Sequence, residues 1–530
     1  MSGKLYYNGD ILTMEKSPYA EAVWVKDGKI RAVGNRSCLL KNACGAEPVD
    51  LKGKTMIPAF LDPHSHMTSF ANTLRLVDLN GVKSFDEILA RIAAYQKEKR
   101  VKPGEWIAGF GYDHNFLKEH AHPTRELLDR AGPQNPIVMT HASGHMGVMN
   151  SLALREAGVT AETLDPDGGH IGREPGSAEP NGYLEEAAFT AYTAKIPAPS
   201  VEALYGQLKD AQDIYLKNGI STAQDGFMKE GEWKLLKAAS DLGRLKMDVV
   251  CYPELSGSQH IVQENLEYRG VYRNRLKIGG YKIFLDGSPQ GRTAWMSKPY
   301  CNTQDGYCGY PAHSEEDVET YLGTALKEGI QILVHCNGDA AAEQMIDAYE
   351  AARLKYPYAP DIRPVMIHAQ LVRRDQLDRM ADLKMIASFF VAHTYYWGDV
   401  HLKNFGAERA VAISPAKSAL DKGVVYTFHQ DTPVIQPNML ETIWCAVNRV
   451  SKTGIVMGKS ERISPLDALK GVTINAAYQY FEEKSKGSIR EGKNADLVIL
   501  DRNPLKVKPM EIKDIQVLET VKDGVTVYQA

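Results

Sequence analysis

Short apolar runs alternate with amphipathic stretches through the middle of the chain. The runs have the length of buried strands, and the stretches repeat their apolar residues with helical spacing. Eight runs are predicted as strands: Ile57–Leu61, Gly219–Gln224, Met247–Tyr252, Ile278–Leu285, Gln331–Val334, Pro364–Ile367, Met385–Phe390 and Val424–Phe428. Helices are predicted between most of them, at Val201–Lys217, Glu230–Leu242, Glu315–Glu328, Ala340–Lys355 and Arg374–Leu383. This alternation predicts an α/β fold of parallel βα units, and eight units predict a closed (β/α)8 TIM barrel.

Both ends of the chain show a different pattern, in which short strands are joined by tight turns. Asp27-Gly28 predicts a hairpin within residues 21–34, and Asn8-Gly9 is a turn signal within residues 5–13. Strands near the C-terminus are predicted at Ala495–Leu500, Ile515–Val521 and Val525–Tyr528. We therefore predict a small β-sandwich domain formed from both termini, residues 1–55 plus 484–530, with the barrel domain at residues 56–483.

The interval between the first and second predicted strands is too long for one βα connection. It contains its own predicted strands and helices, at Trp106–Tyr112, Pro136–His141, Phe85–Lys99 and Ser151–Ala157. Residues 165–182 are rich in Gly, Asp and Pro and predict a loop. We predict a large insert after barrel strand 1, a subdomain at about residues 72–205 that lies over the mouth of the barrel.

Composition narrows the class of protein. The chain has 530 residues, of which 44% are hydrophobic and 24% charged, as in globular proteins of two or three domains. A net charge of −4 gives no electrostatic basis for binding nucleic acid or an anionic membrane. The first ten residues have no apolar stretch, so we expect no signal peptide, and no apolar run is long enough to predict a transmembrane helix. Seven scattered cysteines fit a reducing compartment, so we expect a cytoplasmic protein.

Metal-ligating residues follow several of the predicted strands. His64 and His66 come directly after the first strand, with one residue between them. If Ile57–Leu61 is a strand, both histidines point the same way and can hold one metal ion. The alternative is a pair of surface histidines in a loop.

The later strands supply four more candidates. Lys282 lies inside the fourth strand, where an ammonium is costly unless it reaches solvent or pairs with Asp286. His335 and His368 follow the fifth and sixth strands, and Asp431 follows the eighth. Each histidine taken singly could be a core residue. Because reactive residues of a barrel sit at the carboxyl ends of its strands, we expect these side chains to converge with His64 and His66.

The order of these residues resembles the amidohydrolase superfamily of metal-dependent hydrolases over nearly the whole chain. Residues 58–66 resemble its P-G-F-[IV]-D-x-H-x-H motif, with Ala59 in place of the usual Gly, and residues 487–498 resemble its C-terminal G-x-[IL]-x-x-G-x-x-A-D-[LI]-V motif. Residues 282–292, 335–339, 367–370 and 144–151 are similar to the amidohydrolase-3 branch. That branch includes N-substituted formamide deformylases and exoenzyme-regulatory-like proteins. Its usual G-S-D after strand eight is His429-Gln430-Asp431 here, so substrate preference differs.

The resemblance implies a site for one or two divalent ions, most often Zn²⁺. His64, His66 and Asp431 would bind the inner ion, and His335 and His368 the outer one. Lys282 would bridge the two ions after carboxylation of its amine by CO2, and Asp431 would be the catalytic acid and base. Further residues are expected to bind substrate or support the ligands: His145, Asp286, Arg292, Asp339, Gln370 and His393.

The implied activity is hydrolysis of a carbon–nitrogen bond other than a peptide bond. An amide, N-formyl or N-acyl bond of a small molecule would be cleaved by metal-activated hydroxide. Two other functions stay open, deamination of a cyclic amidine-type substrate and a non-catalytic regulatory role on the same fold. The complete set of ligands argues against the regulatory role. We expect a small-molecule substrate, no nucleic-acid or membrane partner, and allow for a homodimer.

Overall fold

The computed structural model describes residues 3–43, 45–196, 199–303 and 306–530. The fold is α/β, and the chain divides into two compact units, residues 1–70 with 208–530 and residues 71–207. The chain passes between the units within the helices Met67–Thr73 and Val201–Lys217. Among the described residues, no helix combines the length and apolar character that crossing a membrane requires.

Strands from both ends of the chain pair in one sheet of the first unit. Thr55–Pro58 pairs in parallel with Lys4–Leu12 and antiparallel with Leu497–Leu500. The whole sheet consists of Lys4–Leu12, Tyr19–Lys26, Lys29–Gly34, Glu47–Asp50, Thr55–Pro58, Leu497–Leu500, Val517–Lys522 and Val525–Gln529. We call it the terminal sheet. Its apolar side packs a core that includes Tyr6, Val23, Met56 and Leu497.

The middle of the chain forms two parallel sheets in the same unit. The first consists of Phe60–Leu61, Ile220–Met228, Asp248–Pro253 and Leu276–Ile278. The second consists of Gly280–Phe284, Gln331–Cys336, Val365–His368, Ile386–Phe389 and Tyr426–Phe428. Every predicted apolar run therefore contains strand residues, and the predicted parallel pairing is confirmed.

The first predicted run, Ile57–Leu61, is wrong as a single strand. Thr55–Pro58 belongs to the terminal sheet, whereas Phe60–Leu61 belongs to a parallel sheet. The change occurs at Ala59, whose N–H donates to the carbonyl of Asp496. Pro58 has no N–H, so a ladder of hydrogen bonds cannot continue through it. Because every residue of the run is buried, the hydrophobic pattern does not show where the chain changes from one sheet to the other.

Helices follow most of the parallel strands. Predicted helices Val201–Lys217 and Glu315–Glu328 have the observed limits, and the latter is fixed by Ser314, whose side chain accepts from Asp317 N. The helices of the first unit and its boundaries are Arg36–Asn42, Met67–Thr73, Val201–Lys217, Glu230–Asp241, Leu255–Glu264, Glu315–Glu328, Asp339–Lys355, Arg374–Asp382, His393–Tyr396, Gly398–Val411, Ala416–Asp421, Met439–Asn448, Pro465–Gly471 and Ile474–Gln479. Short 3₁₀ turns lie at Leu266–Tyr268, Lys459–Glu461 and Pro509–Asp514.

The second unit has its own sheet and core. Its strands are Leu76–Asp78, Ile107–Tyr112, Ile137–His141, Met146–Met149, Gly169–Arg173 and Pro180–Glu186, and its helices are Phe85–Lys99, Arg125–Ala131, Ser151–Ala157 and Ala187–Thr193. The first three strands run in parallel. Val77, Ile107, Ile137 and other buried side chains form the core.

Two turn predictions are wrong. The loop predicted at residues 165–182 contains strand Gly169–Arg173 and the start of Pro180–Glu186, which pair antiparallel. Ile171 and Leu184 are buried there, although Gly and Pro conceal the alternation.

Asn8-Gly9 does not end a strand. Asn8 has a φ of 59° inside Lys4–Leu12, where the pairing register shifts, so it forms an irregularity rather than a hairpin.

A buried ion-pair network joins the terminal sheet to the first parallel sheet. Lys522 Nζ lies 2.6 Å from Asp248 Oδ2 and 2.7 Å from Asp496 Oδ2, and Lys486 Nζ lies 2.6 Å from Asp248 Oδ2. Burial alone would raise the pKa of Asp248, but the two lysines hold it below its usual range. This group therefore stabilises the fold above the unfolded carboxyl pKa, and its contribution is lost as the pH falls.

We expect Lys522→Met to lower the free energy of unfolding by about 3–5 kcal/mol at neutral pH, because two buried carboxylates lose their shared partner. Lys506→Met is the matched control, since Lys506 makes an exposed pair with Asp10 and such pairs contribute about 0–1 kcal/mol. Denaturant titrations measure both values. Equal effects of the two substitutions would contradict the role of the buried network, and the Lys522 effect should shrink in acid.

Candidate metal centre

The first unit brings the six predicted ligand residues together at the carboxyl ends of its parallel strands. His64 and His66 follow Phe60–Leu61, and Asp431 follows Tyr426–Phe428. Lys282, His335 and His368 lie in the strands Gly280–Phe284, Gln331–Cys336 and Val365–His368.

Asp431 lies at the middle of this group. Its Oδ1 is 3.3 Å from His64 Nε2 and 3.2 Å from His66 Nε2, and its Oδ2 is 3.9 Å from His368 Nε2. Nitrogen and oxygen ligands bind zinc at about 2.0–2.2 Å, which places neighbouring ligand atoms of a tetrahedral ion about 3.3–3.6 Å apart. The spacing of these atoms therefore suits one shared ion.

His64 and His66 are oriented by hydrogen bonds on their far sides. Nδ1 of His64 is 2.6 Å from Gln224 Oε1, and Nδ1 of His66 is 2.7 Å from the Gly226 carbonyl. Both oxygens can only accept, so each Nδ1 carries the ring proton and each Nε2 presents a lone pair to Asp431. Two lone pairs at that distance repel unless a proton or a metal cation lies between them. The arrangement therefore fits a metal ion.

Burial favours the neutral form of both rings, but at His66 the hydrogen bond and charge of Asp431 outweigh it and raise the pKa of that ring. For His64, burial and then the nearby Lys282 ammonium lower the pKa to about 4. His335 responds in the same way, with burial and then Lys282 lowering its pKa to about 3. A neutral imidazole is the form that binds metal.

His335 and His368 form a second part of the site. His335 Nδ1 is 3.0 Å from His368 Nε2, and His335 Nε2 is 3.2 Å from the Gly287 carbonyl. Nε2 thus faces the Gly287 carbonyl and the Asn337 amide, and Nδ1 is the nitrogen that faces His368. Both inward nitrogens are therefore available to a cation.

Lys282 is buried among these histidines. Its Nζ has no hydrogen-bond partner among the described residues, and burial lowers its pKa to about 7. The predicted alternative, a pair with Asp286, is not found. The Asp286 carboxylate instead accepts backbone N–H groups from Trp295, Asn337 and Gly338. An amine without a partner fits a site that takes up a further group.

The other predicted site residues of the first unit lie behind the ligands or in loops. Asp286 Oδ1 is 3.5 Å from His335 Nε2. Asp339 accepts from the backbone of Ser297, and Gln370 donates to the Phe390 carbonyl.

The last three predicted residues differ in exposure. His393 is buried, with its Nδ1 3.1 Å from His401 Nε2, whereas Arg292 is exposed. His145 belongs to the second unit, where its Nδ1 lies 3.1 Å from Glu186 Oε2. Their functional roles stay predictions.

His429 belongs to the cluster but was not among the predicted ligands. Its Nε2 is 3.2 Å from His368 Nδ1, and its Nδ1 is 2.8 Å from Ser388 Oγ. The ring is fully buried, 5.1 Å from the His64 ring. The sequence signal was its position two residues before Asp431, which we related only to substrate preference. The hydrogen bond between His429 Nε2 and His368 Nδ1 holds the His368 ring with its Nε2 toward the ligands.

We expect His429→Ala to weaken metal binding by about 10–100-fold, the usual effect of losing a group that orients a ligand. His429→Gln keeps an acceptor for His368 and should recover part of the loss. Competition with a chelator measures the affinity. The control is His401→Ala, a buried histidine bonded to His393 rather than to a ligand. Equal affinities in the His429 and His401 variants would rule out the orienting role.

Known proteins resemble this chain along its full length. The family described as "Amidohydrolase family" matches residues 47–528. N-substituted formamide deformylase of Arthrobacter pascens is 29% identical over 550 aligned positions, which cover 100% of this chain and 99% of the relative. Protein LONG AFTER FAR-RED 3 of Arabidopsis thaliana is 32% identical over 94% of this chain and 87% of the relative.

A solved structure of a metal-dependent hydrolase is also similar to this chain. The crystal structure of an uncharacterized metal-dependent hydrolase from Pyrococcus furiosus has 28% identity and a TM-score of 0.76, and covers 95% of this chain and 100% of its own.

Proposed function

This chain belongs to the amidohydrolase family of metal-dependent hydrolases, and on that premise we propose that it cleaves a carbon–nitrogen bond of a small molecule. The bond is an amide, with N-formyl and N-acyl amines as the favoured substrates. The similarity to a formamide deformylase along the whole chain supports this choice.

One observation carries the proposal. Nε2 of His64, His66 and His368 lies 3.2–3.9 Å from the Asp431 carboxylate, and the buried amine of Lys282 interacts with the same carboxylate. These residues would hold a divalent ion, for which we propose Zn²⁺, with His335 and His368 available to a second ion. A bound ion supplies a Lewis acid that polarises a carbonyl and acidifies water.

The chain's own groups then move the protons. Asp431 accepts a proton from the attacking water through its carboxylate and passes it to the leaving nitrogen, as a general base and then a general acid. With their inward nitrogens committed to the ion, His64 and His66 would not compete for that proton. Burial of His64, Lys282 and His368 excludes bulk water from their side of the site.

We also propose that Lys282 is carboxylated. Its neutral amine attacks CO2, and a proton leaves as the carbamate forms, which converts an amine without a partner into an anionic oxygen ligand. Lys282→Ala should lower turnover by about a hundredfold, and added formate or acetate should partly restore it. Normal turnover in this variant would contradict the bridging role. Extra electron density beyond Nζ in a crystal would support it.

The proposal includes the predicted architecture. The parallel strands close into a (β/α)8 barrel, and the terminal sheet is part of a β-sandwich. The domains are residues 1–55 with 484–530 and residues 56–483, with the insert at about 72–205. We also propose that the protein is cytoplasmic and forms a homodimer.

A substrate panel tests the activity. We expect N-formyl and N-acyl amines to yield one carboxylate for each amine released, and activity to disappear with a chelator and return with zinc. Release of ammonia from a cyclic amidine, without carboxylate, would favour the deaminase alternative. A protein that binds zinc but hydrolyses no member of either group would favour the regulatory role.

A further inference from the structure

A second group of metal-ligating side chains lies in the unit formed by residues 71–207. Asp113 and His114 directly follow strand Ile107–Tyr112, and His141 is the last residue of strand Ile137–His141. The two strands are parallel neighbours, and their last residues are paired. Strand pairing therefore brings the three side chains to one place, although the third is distant in sequence from the first two.

The three ligand atoms have the spacing that one small ion requires. His141 Nε2 is 3.4 Å from His114 Nδ1 and 3.5 Å from Asp113 Oδ1, and His114 Nδ1 is 3.9 Å from Asp113 Oδ1. Tetrahedral zinc with bonds of about 2.0–2.2 Å separates its ligand atoms by about 3.3–3.6 Å. The three side chains could therefore bind one ion with only small adjustments.

Direct hydrogen bonds account less well for these distances. An N–H···O bond is usually about 2.7–3.2 Å long, so contacts of 3.4 and 3.5 Å are long for that purpose. Another histidine of the same unit shows the contrast, because His170 Nδ1 lies 2.8 Å from Asp165 Oδ2. That pair is an ordinary hydrogen bond between two side chains, without a third ligand.

Neighbouring groups orient the cluster. The carboxylate Oδ1 of Asp113 accepts from the backbone N and from Nδ2 of Asn115, each at 2.9 Å. His141 Nδ1 is 2.9 Å from Ser143 Oγ and 3.0 Å from Ser143 N. The hydroxyl can accept from Nδ1 when Nε2 binds an ion, and the N–H can donate to Nδ1 when Nε2 carries the proton. The ring thus serves both states without turning.

Exposure and packing leave a route for an ion and for water. The side chains of Asp113 and His114 are 26% and 30% exposed, whereas that of His141 is 9% exposed. The ring of His122 stacks on His114 at 4.0 Å, and its Nδ1 lies 3.0 Å from Tyr112 Oη. The His122 ring packs on the face of the His114 ring, so Nδ1 at the ring edge can contact the other ligands.

We propose that Asp113, His114 and His141 form a divalent-cation site in this unit. The site shares no ligand with the candidate metal centre and does not depend on the proposed hydrolysis. Two imidazoles and one carboxylate favour a first-row ion such as Zn²⁺ over Mg²⁺ or Ca²⁺, which prefer oxygen ligands. Three protein ligands leave a fourth position for water.

Zinc stoichiometry tests the site directly. The full-length protein is dialysed against micromolar free Zn²⁺ and its metal content measured, without any assay of activity. We expect His114→Ala/His141→Ala to lose one zinc per chain and the control His170→Ala to lose none. The same difference should persist when His64→Ala/His66→Ala is added to each protein, which separates this site from the candidate metal centre. Unchanged zinc content in the His114/His141 variant would overturn the proposal.

Anomalous diffraction from crystals of the dialysed protein provides a second measurement that is insensitive to a folding defect of the variant. A zinc peak within bonding distance of His114 Nδ1 and His141 Nε2 is the expected result. The absence of a peak there would overturn the proposal.

Discussion

Replacing His64 and His66 together by alanine should remove the metal ion between them and lower turnover by about a thousandfold or more. The ion contributes several kcal/mol to stabilising the charge that develops in hydrolysis, and each 1.36 kcal/mol is a factor of about ten in rate. Elemental analysis measures the metal, and initial rates on a substrate found in the panel measure turnover. Both quantities should fall together.

A matched control separates this loss from a general effect of removing histidines. His260 lies in the same unit, is exposed and pairs with Glu230 at 2.9 Å. His260→Ala should keep the metal and the activity. Full metal content in the His64/His66 variant would contradict their assignment as ligands, whatever its activity.

Asp431→Asn should lower kcat by about 10²–10⁴-fold, the range expected when a positioned acid–base group is lost. Asparagine has nearly the same shape but cannot take a proton from water. Because Asp431 is also a proposed ligand, rates are measured with zinc at saturation, so that a lower affinity does not imitate a catalytic defect.

Asp399→Asn is the comparison for this variant. Asp399 lies in the helix Gly398–Val411 and accepts from two hydroxyl groups, Ser451 Oγ at 2.9 Å and Thr453 Oγ1 at 2.5 Å. Its substitution should leave kcat within about threefold, as expected for a change away from the reacting atoms. A similar kcat for Asp431→Asn and the wild type, at saturating zinc, would show that another group moves the proton.

Local signals predicted many helices closely. The limits of Phe85–Lys99 and Glu315–Glu328 agree with the sequence because Ser84 and Ser314 cap their first turns. These signals lie within a few residues of the helix ends, so no knowledge of distant contacts is needed. The parallel strands were predictable for a similar reason, since continuous burial produces continuous apolar runs.

Changes of partner were not predictable from local pattern. Residues 56–61 are apolar and buried throughout, yet the chain leaves one sheet and enters another at Ala59. Only the neighbouring strands distinguish the two halves: Lys4–Leu12 and Leu497–Leu500 for the first, and Ile220–Met228 for the second. Pro58 was the one local signal of an interruption.

The same limit applies to the ligands. His64, His66, His335 and His368 were found because each lies at or near a predicted strand end. His429 was passed over, because its role depends on the nitrogen of His368 to which it is bonded.

The second cluster was missed for a related reason. His141 and His114 meet only through the pairing of two strands in the second unit. Spacing along the sequence carried no sign of that contact.

A short segment of chain connects the terminal sheet to the candidate metal centre, and this connection links metal binding to the stability of the sheet. His64 stands only a few residues after Thr55–Pro58, which is hydrogen-bonded to strands from both ends of the chain. An ion bound at His64 stabilises only molecules in which this short segment is in place, so binding and local opening are linked. Amide hydrogens of Lys4–Leu12 and Leu497–Leu500 should therefore exchange more slowly when the ion is present, although none of them touches it. Amide exchange in this sheet would then report occupancy of a site that lies in another part of the sequence.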